Sequence, residues 1–122
     1  MPPEGGRLET IDGGNWRDFV AAPAAVLLIG KSTCPVCQEY ARELGDALGA
    51  ADAWSSVRFG KVELDRGGLV DFKRANPWLV DLDTLPFTRI YRNGELWKEF
   101  AGGGVDRLRS RLDQLDAGSA TT

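Results

Sequence analysis

Ala24-Ala25-Val26-Leu27-Leu28-Ile29-Gly30-Lys31-Ser32-Thr33-Cys34-Pro35-Val36-Cys37 is the stretch that decides how this chain folds. Its first seven residues are continuously apolar, as expected of a strand covered on both faces. Beyond it, Val36, Tyr40, Leu44 and Leu48 recur at helical spacing. Pro35 suits the first helical turn, where its missing N–H costs little, and Ser32 or Thr33 is expected to cap the helix. The only two cysteines of the 122-residue chain therefore stand at a strand-to-helix junction. Unpaired N–H groups and the positive end of the helix dipole favour a thiolate on the leading sulfur there. A thiolate attacks disulfides, so exchange chemistry is the leading reading of the pair. The same spacing also serves metals, or a purely structural pair.

Outward from this junction the periods alternate. Leu8 to Ile11 reads as a short strand, and Asp12-Gly13-Gly14 turns into a helix capped at Asn15, with Trp16, Phe19 and Val20 facing inward. Val57 to Leu64 reads as a third strand, and Leu69 to Ala75 as a short helix stopped before Pro77. Phe87 to Tyr91 and Glu95 to Phe100 flank Asn93-Gly94, a strong hairpin signal. After Gly102-Gly103-Gly104, a last helix is marked by Val105, Leu108, Leu112 and Leu115. The pattern predicts an α/β domain over residues 8–115 in the order β-α-β-α-β-α-β-β-α, with parallel crossovers and a terminal antiparallel hairpin. Residues 1–7 are expected to form a disordered tail and residues 116–122 a second tail.

Composition narrows the function. Eighteen acidic against 15 basic residues leave a net charge of −3, mixed along the chain, which speaks against nucleic-acid binding. No apolar window approaches a membrane span, and two closely spaced cysteines are not a secreted disulfide framework, so a cytoplasmic setting is expected. The chain has no histidine, which removes Cys–His catalysis and most zinc sites. No metal and no cofactor are implied, and a monomer is expected.

The element order, with Cys34-x-x-Cys37 after the second strand and Thr84-Leu85-Pro86 before the fourth, resembles the thioredoxin superfamily over residues 8–115. The resemblance implies a central mixed sheet of four to five strands with helices on both faces. It implies a cis-proline at Pro86 opposite the cysteines, and an active-site charge at Lys61. Thioredoxins have tryptophan before the first cysteine, where this chain has Thr33, and Trp78 is a candidate stand-in or a core residue. They also bury an aspartate six residues before that cysteine, as a proton relay for the second thiol. Here that position is Leu28, so any such relay must come from elsewhere or be water. Glu63 is read as a poor substitute, facing away from Lys61.

Locally, Lys31-Ser32-Thr33-Cys34-Pro35-Val36-Cys37 is more similar to the Lys-x-x-Cys-Pro-x-Cys of glutaredoxins, and Gly102-Gly103-Gly104-Val105-Asp106 offers a counterpart to their Gly-Gly…Asp. The leading expectation is a thiol–disulfide oxidoreductase in which Cys34 attacks and Cys37 resolves. Thr84, Leu85 and Pro86 would bind the substrate, a disulfide-bearing protein, and a reductase or a low-molecular-weight thiol would supply electrons. The alternatives are a glutaredoxin-like or bacilliredoxin-like reductase, with Lys31 and Asp106 on the carboxylates of a small thiol, and a non-catalytic binding module of the same fold.

Overall fold

The computed structural model describes residues 8–50, 54 and 56–120. The N-terminal segment expected to be a tail lies outside them.

The all-apolar run forms β2 (Ala24–Gly30), every residue of it buried. On one side β2 pairs in parallel with β3 (Arg58–Glu63), which in turn pairs in parallel with β1 (Leu8–Thr10). On its other side β2 pairs antiparallel with β4 (Phe87–Arg92), followed by β5 (Glu95–Ala101). The sheet order is β1-β3-β2-β4-β5. The hairpin turns at Asn93 and Gly94, with φ of 54° and 85°. Positive φ at both central residues matches the right-handed twist of the flanking strands, which is why Asn-Gly is favoured there.

Alternation along β2 divides the core in two. Val26 and Leu28 face α2 (Pro35–Ala50) and α4 (Val105–Ala120), where they meet Tyr40, Leu44, Leu108 and Leu112. Ala25, Leu27 and Ile29 face α1 (Trp16–Val20) and α3 (Val70–Ala75), against Phe19 and Phe72. A strand covered on both faces is the only one that can be apolar throughout.

Several local expectations differ from the fold. Asn15 does precede α1, but its side chain bonds the Asp12 N–H and the Thr10 carbonyl rather than capping the helix. A 3-10 turn, Pro77–Asp81, leads toward Pro86 with no periodic signal in the sequence. The apolar stripe of the last helix ends at Leu115, while its backbone stays helical to Ala120.

Candidate active site

At the end of β2 the chain turns through Lys31, Ser32 and Thr33 into α2. Ser32 does not cap the helix, since its N–H and hydroxyl both go to the Asp65 carboxylate beyond β3. Those bonds hold the Asp65 carboxyl below its usual range, the Ser32 side chain contributing most, and they tie the loop to the neighbouring strand. The cap is Cys34. Its carbonyl accepts the Gln38 N–H at 3.1 Å, and its Sγ accepts the Cys37 N–H at 3.2 Å. Sulfur thus occupies the place of the usual cap oxygen, because the bond geometry requires only an acceptor one residue before the helix.

Cys34 and Cys37 are joined as a disulfide, with Cα atoms 5.2 Å apart. They differ in access: Cys34 is partly exposed, whereas Cys37 is 7% exposed. Cys37 packs directly on β2 at Gly30, where a Cβ would stand 2.8 Å from both its Cβ and its Sγ. Only glycine leaves room for the second sulfur at this point.

A cavity of about 20 Å³ opens beneath Cys37, and Leu28, Lys31, Lys61, Glu63 and Pro86 help to line it. It therefore brings together Cys37, Pro86 and both lysines singled out in the sequence. Glu63 lines it as well, which corrects the expectation that it faces away from Lys61. Residues two apart on a strand share a face. The register confirms this, since Lys61 pairs with Leu28 and Glu63 with Gly30. Glu63 is only 10% exposed. It accepts a hydrogen bond from Gln38, the residue after Cys37, at 3.0 Å, and another from Arg66. Arg66 first and Gln38 second hold its carboxyl below the usual range.

The remaining residues are more scattered. The Leu85–Pro86 peptide is cis. Leu85 packs against the α1/α3 core, and Thr84 is exposed with its hydroxyl on Asp83 at 3.2 Å. Asp106 is fully exposed, 3.7 Å from Arg109, and lines a different concavity with Glu43 and Gly103. Lys31 and Asp106 are thus not brought to one pocket. Trp78 lies on the α1/α3 face, with Arg89 stacked 3.6 Å above its ring, so its observed role is packing.

Sequence reading missed Tyr40. Its hydroxyl bonds Thr88 at 3.0 Å, and Thr88 in turn donates to the Gly102 carbonyl at 3.3 Å, while the Gly102 N–H donates to the Pro86 carbonyl at 2.7 Å. This chain links α2 to the loop that carries Pro86. In the sequence Tyr40 is one more residue of the apolar stripe, and only its partner across the sheet distinguishes it.

Solved structures of similar fold include thioredoxins. Thioredoxin O2 from Arabidopsis thaliana, in its oxidized state, superposes with a TM-score of 0.70 at 18% identity, over 89% of this chain and 94% of that one. This chain has the thioredoxin fold. Mitochondrial thioredoxin 3 from Saccharomyces cerevisiae gives a TM-score of 0.69 at 15% identity, over 92% of this chain and 99% of its own. Thioredoxin f2 from Chlamydomonas reinhardtii gives 0.67 at 18% identity, over 88% and 94%. No protein-family model and no curated protein sequence matches the chain. Within the thioredoxin fold, then, the site carries Thr33 and Pro35-Val36 on a backbone that close sequence kinship does not accompany. Among the described residues no helix is long and apolar enough to cross a membrane.

Proposed function

We propose that this protein is a thiol–disulfide oxidoreductase that reduces protein disulfides through Cys34 and Cys37. The observation that carries the reading is the asymmetry of the pair. Cys34 is reachable and its sulfur accepts a helix N–H, whereas Cys37 is buried behind it. In the reduced protein, the Cys34 thiolate attacks a substrate disulfide, forming a mixed disulfide and expelling one substrate thiolate. Cys37 then attacks Cys34 Sγ; the Cys34–Cys37 bond forms, the bond to substrate breaks, and the second substrate thiolate leaves with the Cys37 proton. Two electrons pass from the cysteine pair to the substrate. The Leu85 backbone, beside Pro86, is proposed to pair with an extended substrate like an added strand. A monomer in a cytoplasmic compartment, recharged by a reductase or a small thiol, completes this reading.

The small-thiol alternative draws on Lys31 and the Cys-Pro-x-Cys string. It also requires Asp106, which lines a separate concavity, and so has the weaker support.

Limiting iodoacetamide on the reduced protein near neutral pH, followed by peptide mass analysis, tests the assignment. Cys34 is expected to be labelled well ahead of Cys37. Cys34→Ser should abolish disulfide reduction, while Cys37→Ser should accumulate the mixed disulfide. Equal or reversed labelling overturns the roles, and turnover of a small-thiol mixed disulfide undiminished in Cys37→Ser would favour the glutaredoxin-like reading.

A further inference from the structure

Cys37 cannot attack until its proton leaves, and its surroundings discourage that. Burial away from water disfavours the charged thiolate, and Leu28, which lines the cavity with it, cannot accept a proton. The cavity of about 20 Å³ under Cys37 has room for roughly one water. Charged and titratable side chains approach it from three elements. Lys31 comes from the loop after β2, Tyr40 from α2, and Lys61 with Glu63 from β3. The two lysines are cations that accept nothing. Tyr40, pushed up to about 12 by burial, stays neutral. Asp65, in the next turn, does not line the cavity, and Arg66 is a cation bound to Glu63. Among the described residues that line it, Glu63 is the one acidic side chain.

Its placement is specific. Gly30, on which Cys37 Sγ rests, is the register partner of Glu63, so the Glu63 backbone stands one strand spacing, about 5 Å, from Gly30, and its side chain lines the same cavity as Cys37. Gln38 fixes it from the α2 side at 3.0 Å. We propose that Glu63 takes the proton from Cys37, through the cavity between them, as Cys37 attacks the mixed disulfide. The S–H bond of Cys37 breaks as the Cys34–Cys37 bond forms. Glu63 holds the proton in passage, and it ends on the departing substrate thiolate. The hydrogen bonds from Arg66 and Gln38 keep Glu63 ionised across the neutral range, and because they also weaken it as a base it holds the proton only in passage. This role rests on the dithiol mechanism proposed above.

The experiment follows resolution by stopped flow. Cys34 is loaded with a fluorescent cysteine peptide as a mixed disulfide, and peptide release is recorded from about pH 6 to about pH 9. In the unaltered protein, release should change little with pH, because the acceptor is ionised throughout. In Glu63→Gln it should be at least about tenfold slower at neutral pH and rise about tenfold per pH unit, as hydroxide takes over. Glu63→Asp should keep the shallow profile at a reduced rate. The direction is decisive, since merely deleting a negative charge beside Cys37 would favour its thiolate and speed release. Faster release in Glu63→Gln, or profiles that run parallel, overturns the role of Glu63 and leaves dithiol exchange intact. Failure of the unaltered protein to release peptide at all overturns the dithiol reading itself.

Discussion

Gly30 shows how one residue sets the position of a reactive group. Its hydrogen is all that fits between β2 and the second sulfur, with a Cβ 2.8 Å from Cys37 Sγ. Gly30→Ala must therefore displace the start of α2 or turn Cys37 out of its place. Overpacking of this kind typically costs about 1–3 kcal/mol. The expected result is a lowered denaturation midpoint together with slower closure of the Cys34–Cys37 bond, measured as resolution of a preformed mixed disulfide. An unchanged midpoint and rate would mean that the Cys37 contact is not a constraint. Asp65 acts at the same scale: by taking both Ser32 donors it leaves Cys34 as the helix cap, and so puts a sulfur rather than a hydroxyl at the N-terminus of α2.

Between elements, α2 is tied to the Pro86 loop by Tyr40, Thr88 and Gly102, a polar chain inside an apolar core. Burial pushes the Tyr40 phenol up to about 12, against an ordinary value of 10. The sign follows directly. Between those values the unfolded tyrosine has lost its proton and the folded one retains it, so stability falls as pH rises through this window. Two pH units correspond to about 3 kcal/mol. Tyr40→Phe should flatten the alkaline part of the stability profile, read from urea midpoints between about pH 9 and about pH 12. Thr88→Val leaves the phenol buried without its partner and should cost about 1–3 kcal/mol at neutral pH. An alkaline slope in Tyr40→Phe as steep as in the parent would assign it to other groups.

At the scale of the whole molecule, β2 is shared by two cores, so loss of this strand from the sheet takes both apart. Phe72 and Leu112 are both fully buried but lie on opposite sides of the sheet. Phe72→Ala should cost about 3–5 kcal/mol and Leu112→Ala about 2–5 kcal/mol. Each should shift the entire unfolding transition. Near- and far-UV circular dichroism are expected to give coincident midpoints in both variants, as in a two-state unit. Separated transitions in Phe72→Ala would show that the α1/α3 face unfolds on its own.

Sequence alone determined the order of elements, the doubly covered β2, the Asn93-Gly94 hairpin and the placement of both cysteines at a helix start. These are local or periodic properties, set by which side chains can be buried and which backbone angles a residue accepts. What surrounds the cysteines was decided only in three dimensions. Ser32 meets Asp65, Tyr40 meets Thr88, and Glu63 meets Gln38 across separations of 25 to 48 residues. No period records such pairs, because each depends on strand register and on the packing of α2 over the sheet. Glu63 makes the point most plainly. Its face follows from counting along β3, but its position beside Cys37 follows only from β3 pairing with β2 so that Glu63 stands opposite Gly30.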